Sequence, residues 1–220
     1  MSRIYVPSQG ANSWQALLAD PQKHWRMGYS ARSLANCWET ANGVPAEVAR
    51  LFPSDPELLL AIPEHKVPLP RGRESQSDLF ALLKVGQQIC STTIEGKVDE
   101  SFDRLVSEWS IDASPGKQER LKYLCDMLGL ELSDAGDLRY QLLHRTASAV
   151  IESRRFQTPL SAMVVHSFSP TKKWFADFAQ FAERIGAKIT GPDTSSWVTL
   201  PDGTRLMLGW ASGDPTYLTT

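Results

Sequence analysis

The sequence lacks several features that mark whole classes of protein. It contains no run of about 18 uncharged apolar residues, so a membrane-spanning helix is excluded, and its opening, MSRIYVPSQG, has no apolar signal-peptide core. Its cysteines, Cys37, Cys90 and Cys125, are widely spaced and form no C-x-x-C pair, which argues against a disulfide framework and against a zinc knuckle. We therefore expect a cytoplasmic protein with buried thiols and no membrane partner.

A surplus of charge of one sign is also missing. Lysine and arginine total 23 and aspartate and glutamate total 25, which gives a formal net charge of −2. Overall charge therefore provides no attraction for a polyanion, and a nucleic-acid partner would need a local basic surface. With 220 residues and 42% hydrophobic content, the chain is long enough to bury a core, and we expect residues 1–220 to form a single domain.

The hydrophobic pattern predicts an order of secondary-structure elements. An early helix, SARSLANCWETANG, would be capped by Ser30 and ended by Gly43, and a proline-edged strand, LLLAIPEHKVPL, follows it. After a β-hairpin and further helices come a buried strand, LSAMVVHSF, an amphipathic helix, KKWFADFAQFAERIG, and a terminal hairpin that turns at Asp202 and Gly203. This order predicts an α/β fold with a mixed β-sheet flanked by helices and a C-terminal β-hairpin.

The first predicted hairpin, SDLFALLKVGQQICSTTIEGK, consists of two apolar runs on either side of a glycine. A two-residue loop at Gly86 and Gln87 suits a type II′ turn, which prefers glycine first, and it would pair Val85 with Gln88. The same register would then continue along both strands.

That register places Asp78 directly across from Glu95, with Lys97 on the same face. Two like charges at opposed positions destabilise a sheet by up to about 1 kcal/mol. A divalent cation would compensate them, because Mg²⁺ prefers oxygen ligands. In this hypothesis Asp78 and Glu95 bind the metal, and Lys97 stabilises charge during phosphodiester hydrolysis. A turn one residue longer or shorter would instead leave the two acids on different faces, as solvated strand-end residues.

The sequence contains an acid, Asp78, followed after a spacer of 16 residues by an E-x-K pattern, EGK at Glu95–Lys97. This arrangement resembles the motif of the PD-(D/E)XK nuclease superfamily. The resemblance covers about residues 30–168 and implies a restriction-endonuclease-like core that cleaves DNA with Mg²⁺ or Mn²⁺. It also implies a third metal-binding acid on the first helix, matched by Glu39 in SLANCWETA. A catalytic glutamine after the third strand is matched by Gln141 in RYQLLHR.

Other residues extend or compete with this site. Arg145 and His144 are candidate phosphate contacts beside Gln141, and Glu64 is an alternative first acid. If DLRYQLLHRTASAVIESRRF is one helix rather than a strand and a helix, Gln141 would simply face solvent. A groove for phosphates is predicted from a scattered set of basic residues, namely Arg71, Arg73, Lys84, Arg154, Arg155, Lys172 and Lys173.

Two functions follow from these residues. The first is a metal-dependent nuclease, and the second is a nucleic-acid or protein binding module that has the same fold and no catalytic activity. The choice between DNA and RNA stays open, as does the choice among a free-standing enzyme, a homodimer and a subunit of a defence or repair complex.

Overall fold

The computed structural model describes residues 8–220. The opening segment MSRIYVPSQG, for which no signal peptide is predicted, lies mostly outside these residues. The strands are β1 (Glu57–Val67), β2 (Ser75–Val85), β3 (Gln88–Lys97), β4 (Leu160–Ser167), β5 (Ser195–Thr199) and β6 (Arg205–Ser212). The α-helices are α1 (Pro21–His24), α2 (Ser30–Ala41), α3 (Ala46–Ala49), α4 (Val106–Trp109), α5 (Pro115–Leu128), α6 (Tyr140–Phe156) and α7 (Phe175–Arg184). Short 3₁₀ helices span Ala11–Leu17, Leu132–Asp134 and Pro215–Thr219.

The six strands form one mixed sheet in the order β1-β2-β3-β4-β6-β5. Strands β1 to β3 are antiparallel neighbours, β4 runs parallel to both β3 and β6, and β5 pairs antiparallel with β6. Pro63 lies in β1, at the edge of the sheet, where a missing N–H is tolerated. The predicted α/β class with a mixed sheet flanked by helices is therefore confirmed, whereas the likeness to a nuclease core stays a prediction.

Helices cover both faces of the sheet and enclose two hydrophobic cores. On one face α5, α6 and α7 pack around Trp210, and on the other α2 and α3 pack around Leu34 and Ile94. Within residues 8–220, no helix combines the length and the apolar character needed to cross a membrane. The layers leave a concavity at the carboxyl end of β3, between the start of α2 and the start of α6.

The ends of two helices differ from the sequence-based alternatives. Ser30 is the first residue of α2 rather than its side-chain cap, and its amide donates to the Glu100 carboxylate at 3.0 Å. Asn42, with φ 47°, ends α2 instead of Gly43. The segment that contains Gln141 is one continuous helix, α6, so the strand alternative for that segment is wrong.

Candidate functional site

The hairpin of β2 and β3 has the predicted register. Gly86 adopts φ 59° in the two-residue loop, a conformation that glycine takes without steric cost. The pairing continues to Leu79, which directly follows Asp78 in β2, and to Ile94, which directly precedes Glu95 in β3. Asp78 and Glu95 therefore lie at the same level of neighbouring strands.

A third acid, Glu64 of β1, lies beside Asp78 of β2. It stands between Pro63 and His65, both of which pair with β2, and its φ of 52° is unusual for a residue with a side chain. Because neighbouring strands are only about 4.8 Å apart, three adjacent strands place three carboxyl groups close together. We call Glu64, Asp78 and Glu95 the acid row.

The acid row lies in a cavity of about 660 Å³. Lys97 lines the same cavity, and Gln141 and Arg145 of α6 form one wall. Residues between positions 18 and 31, up to the first turn of α2, contribute another part of the lining. The cavity is large enough for a small ligand or for one unit of a polymer.

Glu95 is only 3% exposed, and three side chains donate to its carboxylate. Lys97 Nζ and Gln141 Nε2 approach Oε1 at 3.1 and 2.6 Å, and Arg145 Nε approaches Oε2 at 2.6 Å. Lys97 also donates to Gln141 Oε1 at 3.0 Å. Gln141 and Arg145 reach the same carboxylate because residues four apart share a helix face. Although α6 is one helix, Gln141 therefore contacts Glu95 and Lys97 instead of simply facing solvent.

The glycine within the E-x-K motif provides space for a second acid. The Gly96 amide donates to Asp78 Oδ2 at 2.8 Å. A Cβ atom at position 96 would lie 3.3 Å from that oxygen and 3.4 Å from Leu34 of α2. Both contacts are tighter than usual, so glycine here permits the close approach of the carboxylate and of the helix.

The three acids differ in their protonation. Burial raises the pKa of Glu64 to about 7, even though the Gln76 amide donates to it at 2.7 Å. Burial, and then the charges of Glu95 and Glu64, raise the pKa of Asp78 well above its usual value. Burial alone would raise the pKa of Glu95 as well, but the Arg145 guanidinium and the Lys97 ammonium lower it. Nearby cations therefore outweigh burial at Glu95, whereas at Glu64 and Asp78 they offset burial only in part.

This donor set fits a hard divalent cation. The acid row offers carboxylate oxygens alone, which suit Mg²⁺ and Mn²⁺ better than the thiolate and imidazole ligands preferred by zinc. A bound cation would also compensate the two acids whose ionisation the protein itself opposes. Glu64, Asp78 and Glu95 are thus the residues that would hold it.

Glu39 does not belong to this site, so its predicted placement is wrong. The cavity meets α2 at Ser30 and Ala31, and Glu39 lies about 12 Å further along the helix axis. Its carboxylate accepts from Trp14 Nε1 at 2.7 Å and from the Ser8 hydroxyl, beside a separate cavity. Glu64, the alternative acid, takes the place beside Asp78 and Glu95 that was predicted for Glu39.

Of the three predicted phosphate contacts, only Arg145 lies at the acid row. Arg145 is buried against Glu95, and His144 lies outside the cavity lining, hydrogen-bonded to Ser75 at 2.9 Å. Burial, and then the charge of Arg145, hold the pKa of His144 well below its usual value. Arg73 is exposed and also lies outside the lining.

Most of the basic set predicted to form a groove is engaged with acids. The ion pairs are Arg71 with Glu119, Lys84 with Glu57, Arg154 with Asp202, Arg155 with Glu152, and Lys173 with Asp99. None of these five cations lines the cavity. The structure therefore does not gather these five cations around the acid row, and a phosphate-binding groove formed by the set stays a prediction.

A family model covers almost the whole chain. A model described as a domain of unknown function, DUF6946, matches residues 7–215. The chain belongs to this family. No curated protein and no solved structure is significantly similar to it. The DUF6946 match spans every strand of the sheet and every residue of the acid row, so the site lies within the region that defines the family.

The sequence reasoning missed the cavity wall contributed by residues 18–31. Most of this segment precedes the region of nuclease resemblance, and before α2 begins at Ser30 it contains only one short helix, α1, so no periodicity marks it as part of a site. Its one available signal is compositional, since KHWR at positions 23–26 places cations beside an aromatic side chain.

A second polar cluster lies on the face of the sheet covered by α2 and α3. Ligand atoms of Cys37, Glu47 and His166 all lie within 4.8 Å of one another. The Trp38 indole N–H donates to His166 Nδ1 at 3.3 Å, so in the neutral ring Nε2 carries the proton that it shares with Glu47 at 2.9 Å. We call Cys37, Trp38, Glu47 and His166 the histidine cluster.

Proposed function

We propose that this protein is a divalent-metal-dependent nuclease that hydrolyses phosphodiester bonds, with DNA as the first substrate to test. The observation that supports this most strongly is the acid row, in which three carboxyl groups from adjacent strands converge beside Lys97 while two of them are only partly compensated by nearby cations. Perturbed acids in a cavity are typical of functional sites. The motif that resembles the PD-(D/E)XK superfamily falls on the same residues.

The side chains divide the work. A bound Mg²⁺ or Mn²⁺ would polarise the phosphate and supply a water of lowered pKa. Lys97 places a compact cation in the cavity, where it stabilises the charge that develops on the phosphate in the transition state. Gln141 holds the Lys97 ammonium from its other side, which fixes the direction in which that charge points.

Arg145 is assigned a positioning role rather than a phosphate contact. It holds Glu95 ionised and fixes the orientation of that carboxylate, since it donates to Oε2 while Lys97 and Gln141 donate to Oε1. Its second guanidinium nitrogen donates to the Ser75 hydroxyl at 3.1 Å. The buried arginine thereby ties α6 to both β2 and β3.

One observation favours the alternative, a binding module without catalysis. Glu95 already has cationic partners on both of its oxygens, as in a purely structural ion cluster. In that case Lys97 would serve only to neutralise Glu95. The acid variants and the lysine variant distinguish these possibilities, because a structural cluster affects folding and not turnover.

The test combines cleavage and metal binding. Labelled single-stranded and duplex DNA and RNA are incubated with wild-type protein in Mg²⁺, in Mn²⁺ and in EDTA. We expect cleavage only with metal and its loss in Asp78→Asn. Lys97→Ala should keep metal binding by calorimetry but lose roughly 10²- to 10³-fold in turnover, as when a preorganised charge is removed.

Lys84→Ala is the matched control, since Lys84 is an exposed lysine on β2 whose partner Glu57 is also exposed. It should cleave like wild type. If wild-type protein neither binds a divalent ion at millimolar concentration nor cuts any of the four substrates, the nuclease proposal fails and the binding module replaces it.

A further inference from the structure

The part of the chain that lines the cavity between positions 18 and 31 carries cations whose side chains are free of acidic partners. We call residues 17–32 the basic lip. Lys23, His24 and Arg26 are exposed, and Arg32 is partly buried. Within residues 8–220, the side-chain nitrogens of this lysine and of the two arginines lie within 4 Å of no carboxylate oxygen, unlike the ion-paired cations elsewhere on the surface. The one acid of the lip, Asp20, accepts from the Lys23 backbone N–H at 3.1 Å. The lip therefore offers positive charge to a ligand at the rim of the cavity.

The same lip exposes apolar side chains. Leu17, Met27 and Tyr29 are 49%, 58% and 39% exposed. They make up half of the large exposed hydrophobic residues among residues 8–220, the others being Leu59, Ile111 and Leu132. Such a concentration beside cations is the composition of a surface that holds unpaired bases as well as phosphates.

The lip is held in place relative to the acid row. Trp25 packs against the core beneath α2. The Gln76 amide donates both to the Leu17 carbonyl at 3.4 Å and to the Glu64 carboxylate at 2.7 Å, so one side chain joins the lip to the acid row. A ligand on the lip is therefore presented to the acids in a fixed geometry.

We infer that the basic lip binds a single-stranded nucleic acid, with phosphates on Lys23 and Arg26 and an unpaired base stacked on Tyr29. This inference rests on the proposed function and gives its substrate class. A duplex hides the faces of its bases, so exposed apolar and aromatic side chains favour an unpaired strand. Glu95 is almost fully buried, and a single strand approaches such a buried carboxylate more easily than a duplex does.

Binding is measured by fluorescence anisotropy with a labelled oligothymidine and a hairpin duplex of equal nucleotide number. Ca²⁺ replaces Mg²⁺, and a gel checks that the oligonucleotides stay intact. We expect the single strand to bind more tightly than the duplex and Tyr29→Ala to weaken that binding roughly tenfold. The double variant Lys23→Ala/Arg26→Ala should lower the slope of log K against log salt concentration by about 1.4.

Ile111→Ala and Lys188→Ala are the controls, because each removes an exposed side chain of the same kind away from the cavity. Both should bind like wild type. Tighter binding of the duplex, or lip variants that bind and cut like wild type, overturns the inference and leaves the nuclease proposal standing. Lip-dependent binding of the single strand without cleavage in any metal supports the inference and removes the nuclease proposal.

Discussion

The acid row and the histidine cluster both contain buried or half-buried carboxylates, yet the pKa values of Glu64 and Asp78 in the acid row shift in the opposite direction to that of Glu47. In the histidine cluster, Glu47 receives hydrogen bonds from His166 at 2.9 Å and from the Cys37 thiol at 3.6 Å. Burial alone would raise the pKa of Glu47, but the hydrogen bond from His166 lowers it. In the acid row, burial raises the pKa of Glu64 to about 7.

This difference separates a self-contained cluster from one that needs a ligand. A carboxylate whose partners lower its pKa stabilises the fold when ionised, whereas one whose pKa is raised opposes folding when ionised. Two neighbouring acids whose pKa values are raised on folding lower the stability of the fold at neutral pH, so a structural role does not explain them. The acid row therefore points to a ligand that supplies positive charge, and the histidine cluster does not.

The largest expected effect comes from removing Arg145, the buried cation that compensates Glu95. Arg145→Met should destabilise the protein by about 3–5 kcal/mol at neutral pH, because Glu95 then stays buried with one oxygen unpaired. The loss should shrink at low pH, where Glu95 is protonated. Urea unfolding at several pH values measures both effects.

Arg71→Met provides the control, since its ion pair with Glu119 is largely exposed and should contribute no more than about 1 kcal/mol. Adding Glu95→Gln to Arg145→Met should recover part of the lost stability. Equal, small losses in the two arginine variants would mean that Arg145 does not compensate Glu95.

The hairpin register was predictable because it depends on local chemistry. A glycine at the first loop position selects a two-residue turn, and every pair from there to Asp78 and Glu95 follows from the alternation of side chains. The order of the elements was predictable for the same reason, since each has its own periodicity.

The failures at the candidate site concern tertiary placement. Periodicity puts Glu39 at the border of the buried face of α2, but it does not show which turn of that helix meets the end of β3. Nor does the sequence distinguish a buried arginine from an exposed one, so Arg145 was assigned to phosphate. The spacing of four between Gln141 and Arg145 was an available signal that both reach one group.

An intermediate effect should come from the pH dependence of Glu64. Its pKa is raised on folding, so its contribution to stability is complete below about pH 4.5 and is lost as pH rises toward 7. Glu64→Gln should remove this slope and stabilise the apo protein at pH 7.5, by on the order of 2 kcal/mol because the group is partly exposed. Urea unfolding at pH 4.5 and at pH 7.5 measures the difference.

The stabilisation of the protein by metal gives a second test of the charge on Glu64. Mg²⁺ should stabilise wild-type protein more at pH 7.5 than at pH 5, since a cation binds the ionised acids. Glu57→Gln, which changes an exposed glutamate on the same strand, should show the wild-type slope. A wild-type slope in Glu64→Gln would show that the charge of the acid row is compensated without a ligand.

The smallest expected effect tests why the histidine cluster should not bind metal despite its zinc-like ligands. Metal at His166 Nε2 would move the ring proton to Nδ1, where it would face the Trp38 N–H, and two donors cannot pair. Wild-type protein should therefore gain no stability from Zn²⁺ through Cys37. Trp38→Phe removes the opposing donor, so Zn²⁺ at about five times its Kd should then add about 1 kcal/mol to the free energy of unfolding.

Thermal unfolding with and without Zn²⁺ measures this gain, which should vanish in Trp38→Phe/Cys37→Ala. A Zn²⁺ gain in wild-type protein that Cys37→Ala removes would show instead that the cluster already binds metal, and the contrast between the two clusters would no longer hold.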